Sequence, residues 1–393
     1  MKILHVNISD AGGGIEQYLD LLFPELSRRG HSSVFIYGEH HPGPSCTNHA
    51  ESHYIEGVAG VNKKENTRNI KAVQRIMNSF RPDVAYIHQV LNPSLIRFLV
   101  RSVPTVRYVH GFKLVCPEGK KVLRTSGRHC SFALSPKCQI RAYRHKCMPR
   151  NPRAGLPLIS AAIRNCREHR RYSQMVVASG FMRNVLLYNG FDAQRITVCP
   201  YFTNEPRKNE EFEENVPIVL AIGRLVPAKG MHLLIEAFSD LKVNARLVII
   251  GDGPDRERLK TFAEKKGLNC QETFLGWLDN ENCRYWIERS RVVVLPSIWP
   301  EPFGIVGIEA MSSGKPVVAF DSGGISEWLV QGQTGYLVPT GDIAALGGKI
   351  SELLREPELA NELGRNGFEH FKNRFVPDVH LSILLSILRK SIE

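Results

Sequence analysis

The chain has 393 residues, of which 43% are hydrophobic and 23% charged, and its formal net charge at pH 7 is +12. This length exceeds what one ordinary hydrophobic core supports, so we expect two domains of similar size. No apolar run approaches the roughly 18 residues that span a bilayer, and the N-terminus turns polar too early for a secretory signal, which predicts a cytoplasmic protein if the chain is complete. The nine scattered cysteines do not resemble a secreted disulfide framework.

The first half of the chain alternates short apolar strands with amphipathic helices. Residues 2–8 form a predicted strand, a glycine-rich loop follows, and the next stretch is a predicted helix that ends at Gly30. The same order recurs as far as His110 and resumes after an irregular, cysteine-bearing insertion at about 112–155. Alternation of this kind predicts a parallel sheet with helices on both faces.

Positive charge is concentrated in one part of this half. Between Arg101 and Arg171 there are 17 lysines and arginines against two acids, which gives +15 and leaves −3 for the rest of the chain. Such an excess is typical of a surface that faces the phosphates of nucleic acid, lipid headgroups or an anionic substrate, and a merely solvated face is the plainer alternative.

A hydrophilic stretch rich in charges and containing prolines predicts a linker at 204–216. The alternation of strand and helix then restarts, so the predicted domains are 1–203 and 217–372, and a last helical segment at 373–393 could belong to either, with packing on the N-terminal domain as one possibility. The expected fold class is α/β, with two doubly wound Rossmann-like domains facing across a cleft. Ligands of such sheets bind at the carboxyl ends of the strands, so we expect the site in that cleft.

The first loop between strand and helix contains Gly12, Gly13 and Gly14. Glycines let the backbone approach a ligand closely, and the free N–H groups of the helix that they open favour an anion. A mere turn is an equally good explanation of three glycines.

Two cations follow the first strand of the second half, Arg224 and Lys229 in the stretch GRLVPAKG. At the carboxyl end of a strand they can clamp a diphosphate, the guanidinium as a fork and the ammonium as a point charge. The alternative is that both are ordinary surface cations.

The stretch WPEPFGIVGIEA carries two carboxylates, Glu301 and Glu309. Phe303, Gly304 and Ile305 are predicted to start a helix whose unpaired N–H groups suit a phosphate. Glu309 lies within an apolar run, where an unpaired carboxylate is costly, so we expect it to have a partner. Both acids could instead be favoured only by the helix dipole.

His110 ends an apolar strand of the first half and is followed by Gly111. A single histidine is more often a satisfied structural residue than a catalytic one, but its place at a strand end favours a function.

Four cysteines lie in the basic insertion, Cys116, Cys130, Cys138 and Cys147. Zinc sites usually contain a C-x-x-C pair, which this set lacks. A structural metal site and a set of reduced or redox-labile thiols both remain open.

The second half strongly resembles the retaining glycosyltransferases of family 4, which have the GT-B fold. The motifs GRLVPAKG, IIGDGP, FLGWLD and LPSIWPEPFGIVGIEAMSSGKPVVAFDSGG occur in this order within 216–345. The first half is similar more loosely, through the glycine loop, His110 and the motif VVASGFMRNVLL.

The resemblance implies roles for the residues of the second half. Glu301 matches the first acid of the family's E-x7-E motif, which contacts hydroxyls of the donor sugar, and Glu309 matches the second, which holds the ribose. Arg224 and Lys229 match the diphosphate clamp, and the segment FLGWLD lines the base pocket.

In the first half, Gly13 and Gly14 match the loop under the donor, and His110 matches the histidine that contacts the transferred sugar. One departure concerns the stretch after the last strand of this half. Many members have PNGVD there, whereas this chain has PYFTN.

The implied activity is retaining transfer of a sugar from a UDP- or GDP-linked donor to a glycan or lipid-linked acceptor, in cell-surface polysaccharide or glycolipid synthesis. No metal or other cofactor is expected for the chemistry. The basic segment predicts docking on an anionic membrane, at the inner face of the plasma membrane. A sugar-nucleotide epimerase of similar fold is one alternative. A nucleic-acid-binding protein is another, but no aromatic-interleaved or helix-turn-helix motif accompanies the charge, so we expect no nucleic acid partner.

Overall fold

The computed structural model describes residues 1–41, 45–59, 66–204 and 215–393. The chain divides into two compact units. The first unit comprises Met1–Tyr201 and His380–Glu393, and the second unit comprises Phe202–Val379. Most of the predicted linker, 205–214, lies outside the described residues.

The first unit is built on a seven-stranded parallel sheet with the strand order β3-β2-β1-β4-β5-β6-β7. Its strands are β1 (Lys2–Val6), β2 (Ser32–Tyr37), β3 (Glu51–Tyr54), β4 (Val84–Ile87), β5 (Thr105–Val109), β6 (Gln174–Val177) and β7 (Ile196–Val198). All residues of β4 and β5 are buried, as expected for a parallel sheet that is covered on both faces.

Six helices follow these strands in the chain. They are α1 (Gly14–Arg28), α2 (Asn66–Phe80), α3 (Pro93–Ser102), α4 (Cys138–His145), α5 (Pro152–His169) and α6 (Gly180–Tyr188). Polar side chains at their starts satisfy free N–H groups, as Asn92 does for α3 and Ser179 for α6. The α4 helix and the first turn of α5 lie in the predicted irregular insertion, so that prediction was wrong for this part of the chain.

The second unit has a six-stranded parallel sheet with the strand order β10-β9-β8-β11-β12-β13. Its strands are β8 (Ile218–Ile222), β9 (Arg246–Ile250), β10 (Phe274–Gly276), β11 (Val292–Leu295), β12 (Val317–Phe320) and β13 (Gly335–Val338). Its helices are α7 (Met231–Ser239), α8 (Arg256–Lys265), α9 (Cys270–Thr273), α10 (Asn280–Arg289), α11 (Ile305–Ser312), α12 (Ile343–Arg355) and α13 (Pro357–Arg374).

A final helix, α14 (Pro377–Ile392), begins in the second unit, and its residues from His380 onwards belong to the first. No helix in the described part of the chain has the length and apolarity needed to cross a membrane.

Both sheets are doubly wound, and each has a point where the strand order reverses. That point lies between β1 and β4 in the first unit and between β8 and β11 in the second. In sheets of this kind, ligands bind beyond the carboxyl ends of the strands at the reversal. The loops that follow these four strands are therefore where a site is expected in each unit. The predicted fold class, α/β with two doubly wound units, is confirmed.

Candidate functional site

In the second unit, the loops that follow β8 and β11 are joined by an ion pair. The Lys229 ammonium donates a hydrogen bond to Glu301 Oε1 at 2.6 Å. The lysine side chain is 28% exposed and the glutamate side chain 7%, so the carboxylate is held inside while the ammonium reaches the surface. The ammonium also lies 5.5 Å from the centre of the Trp299 ring. Charge and aromatic face together fix a cation at the reversal point of this sheet.

Close backbone contacts hold these two loops in place. Gly230 has φ +67°, and a Cβ atom there would lie 1.8 Å from the carbonyl oxygen of Pro296. The N–H groups of Ile298 and Trp299 both donate to the carbonyl oxygen of Ala228. Only glycine fits at position 230, because the approach is backbone against backbone and the conformation is left-handed.

The Glu301 backbone is fixed from the other side by the loop after β12. The Gly324 N–H donates to the carbonyl oxygen of Glu301 at 2.7 Å. Gly323 has φ +69°, and a Cβ atom there would lie 2.2 Å from the same oxygen. The carboxylate therefore projects from a rigid segment, which is the arrangement that a binding group needs.

The α11 helix starts directly after this segment, at Ile305, and no side chain caps its N-terminus. Gly304 has φ +93°, and the carbonyl oxygen of the buried Phe303 accepts a hydrogen bond from Trp328 Nε1 at 2.6 Å. A Cβ atom on Gly307 would lie 1.9 Å from the Trp328 ring, so the ring packs directly on the helix backbone. The helix therefore begins at Ile305, two residues later than predicted, and Trp328 holds its start firmly. The N-terminus of a helix is a place where an anion can bind.

Arg224 follows β8 and is exposed. Within the described residues, its guanidinium has no ion-pair partner. Glu309 is half-buried on α11, and burial raises the pKa of its carboxyl to about 7, against a smaller opposing effect of Arg284. A carboxyl with this pKa exchanges its proton near neutrality, so it can accept or donate a hydrogen bond there.

In the first unit, the glycine loop lies over a buried carboxylate that the sequence analysis did not identify. Glu16 Oε1 accepts hydrogen bonds from Asn7 Nδ2 and Ser9 Oγ, both at 2.7 Å. A Cβ atom on Gly13 would lie 3.0 Å from Glu16 Oε2, and Gly12 has φ +100°. The start of α1, at Gly14, therefore already has a negative charge in its first turn, which stabilises the helix and opposes an added anion.

His110 follows β5, and both of its ring nitrogens have partners within the first unit. Nδ1 lies 2.5 Å from the hydroxyl oxygen of Tyr201, and Nε2 lies 3.1 Å from Nδ1 of His88. Burial, with a smaller effect of the Arg107 guanidinium, holds the pKa of His110 well below its usual range. The imidazole is therefore neutral at pH 7.

The four cysteines of the basic insertion line one small cavity of about 30 Å³. Lys121 lines it too, and its ammonium donates to the carbonyl oxygen of Phe132. All four thiols belong to the described part of the chain, where no group of three His, Cys, Asp or Glu residues could hold a metal ion. The alternative of a structural metal site at Cys116, Cys130, Cys138 and Cys147 therefore has no support within the described residues, where all four are free cysteines. A buried ammonium beside the thiols also repels a second cation.

Two doubly wound parallel-sheet units in one chain are the architecture of the GT-B glycosyltransferases. Comparison with known families agrees with this. Residues 12–205 match the model of Glycosyltransferase Family 4, and residues 202–370 match that of Glycosyl transferases group 1. The chain therefore belongs to glycosyltransferase family 4.

Curated relatives are similar over part of their length. Alpha-D-kanosaminyltransferase of Streptomyces kanamyceticus is 35% identical over 189 residues, which is 44% of this chain and 49% of the relative. Glycogen synthase of Mycobacterium tuberculosis is 28% identical over 305 residues, or 76% and 66%. Phosphatidyl-myo-inositol mannosyltransferase of Mycobacterium leprae is 34% identical over 185 residues, or 46% and 47%. The chain thus spans about half of the length of two of these relatives and just under two thirds of the length of the glycogen synthase.

Solved structures share the fold over nearly the whole chain. Sucrose-phosphate synthase of Thermosynechococcus elongatus has a TM-score of 0.75 at 19% identity, covering 99% of this chain and 98% of that one. The Anabaena protein HepE, solved with UDP and glucose, has a TM-score of 0.75 at 19% identity and covers 99% of both chains. At this identity the likeness shows the fold alone. The family match gives no support to the epimerase alternative.

Proposed function

We propose that this protein is a retaining glycosyltransferase that moves a sugar from a UDP- or GDP-linked donor to a hydroxyl of a glycan or lipid-linked acceptor. Cell-surface polysaccharide or glycolipid synthesis is the process that we propose for it. The observation that carries the proposal is the Lys229–Glu301 ion pair beside the uncapped start of α11, at the reversal point of the second sheet.

In this proposal the second unit binds the donor. Arg224, Lys229 and the N–H groups that follow Gly304 meet the diphosphate, and Glu301 accepts hydrogen bonds from hydroxyls of the sugar. The leaving nucleoside diphosphate gains negative charge as the glycosidic bond breaks, so these groups stabilise the transition state more than the bound donor. The ion pair with Lys229 orients the Glu301 carboxylate, whose oxygens accept the hydrogen bonds of the sugar hydroxyls.

The reaction that we propose is a displacement on one face of the sugar. The donor oxygen leaves with the nucleoside diphosphate, the acceptor oxygen forms the new bond to the same face, and the acceptor proton passes to the leaving phosphate. The configuration at the anomeric carbon is retained. The cations of the chain meet the phosphate charge, so we propose that no metal is required, and full activity in excess EDTA is the expected result.

A donor screen tests the proposal most broadly. Release of nucleoside diphosphate from UDP-, GDP- and ADP-sugars, with and without mixed glycan and lipid acceptors, should show one donor preferred and turnover that depends on acceptor. Conversion of the donor into a different nucleotide sugar without any acceptor would instead indicate an epimerase.

We also propose that the basic part of the first unit docks on an anionic membrane. Eight lysines and arginines and no acid lie between Lys137 and Arg167. On α4 and α5 the same stretch exposes large apolar side chains, with Ile140 at 72%, Tyr143 at 54% and Leu156 at 50%. Exposed apolar side chains surrounded by cations are typical of a surface that binds the interface of an anionic bilayer.

Co-sedimentation with vesicles tests this surface. Binding to vesicles with 30% or so of anionic lipid should fall with salt and be lost with purely zwitterionic lipid. Ile140→Ser with Leu156→Ser should weaken it although the charge is unchanged, whereas Tyr188→Ser, which alters a side chain that is 62% exposed on α6, should not. Binding that ignores both anionic lipid and salt would contradict the proposal.

A further inference from the structure

A series of three histidines passes through the interior of the first unit and ends at His110. Nε2 of His5 lies 3.4 Å from the Ser33 hydroxyl, and its Nδ1 lies 3.3 Å from Nε2 of His88. Nδ1 of His88 lies 3.1 Å from Nε2 of His110, whose Nδ1 lies 2.5 Å from the hydroxyl of Tyr201. His5 and His88 are fully buried. We call these three histidines the imidazole chain.

The sheet explains why the rings meet. β1, β4 and β5 are adjacent parallel strands, and their residues pair in step. His5 lies in β1, while His88 directly follows β4 and His110 directly follows β5. The rings of His5 and His88 are nearly coplanar, with 4° between them, which is the geometry of an in-plane hydrogen bond between ring nitrogens.

The imidazole chain is neutral. Burial lowers the pKa of His5 to about 3 and holds those of His88 and His110 well below the usual range. The Arg107 guanidinium opposes a positive charge on His88 and His110 as well. The other titratable side chains packed around the rings are tyrosines, chiefly Tyr18, whose own pKa is raised well above its usual value by burial.

Because all three rings are neutral, the nitrogen that carries the proton in one ring decides which nitrogen carries it in the next. A neutral imidazole has one N–H donor and one acceptor nitrogen, and each link here joins Nδ1 of one ring to Nε2 of the next. All three rings must therefore carry the proton on the same nitrogen if every link is to be a hydrogen bond. The short contact to Tyr201 selects which one, because a phenol hydroxyl donates readily to an imidazole nitrogen. The hydrogen-bond network thus assigns the proton to Nε2 in each ring.

We propose that Tyr201, His88 and His5 are positioning residues that hold His110 as a neutral imidazole with its proton on Nε2. The consequence for the donor sugar rests on the function proposed above. Because both nitrogens of His110 are already bonded, a ligand meets His110 and Tyr201 as a pair, and a hydrogen bond from the ring to the sugar must replace one of the present two. Tyr201 belongs to the stretch PYFTN, which follows β7, and the fold brings its hydroxyl to His110.

Histidine ¹⁵N NMR on the full chain tests the positioning without needing turnover. We expect His110 to show a protonated Nε2 and an unprotonated, hydrogen-bonded Nδ1. In His88→Asn the side-chain oxygen can replace Nδ1 as the acceptor, so this pattern should persist. In His88→Leu the acceptor is lost, and His110 should become a mixture of tautomers. His53→Gln, on the edge strand β3, should leave the His110 signals unchanged. A proton on Nδ1, a charged ring, or no change in His88→Leu would overturn the proposal.

Kinetics then test the consequence for the reaction. His88→Leu and Tyr201→Phe should each lower kcat about tenfold with the donor KM little changed, as expected when one buried hydrogen bond that orients a reacting group is lost. His88→Asn should recover most of that loss. If His88→Leu does not fold, Tyr201→Phe, which keeps the ring, gives the same comparison. Wild-type kcat in both Tyr201→Phe and His88→Leu would overturn the positioning role. The expected NMR pattern in a protein that transfers no sugar would overturn the proposed function and leave the positioning intact.

Discussion

The two units place different chemistry at equivalent points of the same fold. At the reversal point of the second sheet, Lys229 and Glu301 form an ion pair whose lysine is partly exposed. At the reversal point of the first sheet, neutral rings are linked by hydrogen bonds, with His5 and His88 fully buried and His110 partly buried. A partly exposed charge can act on a charged ligand, whereas a buried neutral network fixes geometry and resists titration. The topology therefore supplies the position, and local burial decides the chemistry.

The largest effect that this comparison predicts is the loss of Lys229. Lys229→Met should lower kcat by roughly 10²–10³, because it removes a cation that stabilises charge developing in the transition state. Lys266→Met is the matched control, since that lysine is 30% exposed and pairs with Glu236 in the same unit. Steady-state kinetics with the preferred donor check this, and a loss below tenfold would show that Lys229 is an ordinary surface cation.

Glu301→Gln should come next, with a loss in kcat on the order of 10² and a smaller change in the affinity for nucleoside diphosphate. The amide keeps the shape of the carboxylate but neither pairs with Lys229 nor accepts from sugar hydroxyls as strongly. Glu352→Gln breaks another pair of the same 2.6 Å length, with Lys349, and should leave kcat unchanged.

Glu309→Gln should act on binding instead of turnover. If the carboxyl holds the ribose, nucleoside diphosphate affinity should fall about tenfold, the effect of one hydrogen bond to a charged group, with kcat nearly retained. Calorimetric titration with UDP and GDP measures it. Equal effects of the two glutamate substitutions on kcat and affinity would contradict the division of roles between Glu301 and Glu309.

Glu309 also gives a dependence of stability on pH. Its folded pKa is about 7, raised from an ordinary 4.5, so the unfolded chain loses the proton first and the free energy of unfolding falls as the pH rises from 4.5 through 7. Glu309→Gln removes this dependence of stability on pH. Its Tm relative to the wild type should therefore increase between pH 5 and pH 8, and a difference in Tm that is independent of pH would contradict the raised pKa.

The smallest expected effect is in the first unit, where the ¹⁵N signals of three histidines should not change with pH. Because the pKa of each ring in the imidazole chain is lowered, the ¹⁵N signals of His5, His88 and His110 should not titrate between pH 8 and pH 5. Titration of His110 near pH 6.5 would remove the contrast between the two units.

Much of the fold could be predicted from the sequence, because strand and helix patterns are local. The fully apolar β4 and β11 and the capped α3 each follow from neighbouring residues. The start of α11 was predicted in the same way at Phe303, two residues early, and the structure adds that no side chain caps it. The prediction of secondary structure failed in the basic insertion, because the high density of cations there made the amphipathic pattern of α4 hard to recognise.

The site was harder, since its contacts join distant parts of the chain. Lys229 and Glu301 are 72 positions apart, and only their places after predicted strands and the family resemblance suggested that they share a site. His110 was identified, but its partners His88 and Tyr201 were not, because they are 22 and 91 positions away and no spacing marks them. His88, directly after β4, could have been noticed as a polar residue next to an apolar run, and Glu16 as an acid in the first turn of a predicted helix.

The cysteines show how little the composition of a segment predicts about a site. Counting thiols in one segment says nothing about where their sulfur atoms point. Nor does it reveal that Lys121 is buried beside the cavity that they line. The fold brings the four cysteines to one cavity, and the number and spacing of cysteines in the sequence do not show this.

The most direct test of the central claim is the configuration of the product. With the preferred α-linked nucleotide sugar and its acceptor, ¹H NMR of the first product formed should show an α-linked sugar, because attack and departure occur on the same face. Loss of that product in Lys229→Met, with the control Lys266→Met active, would connect the stereochemistry to the second unit. A β-linked first product would contradict the account.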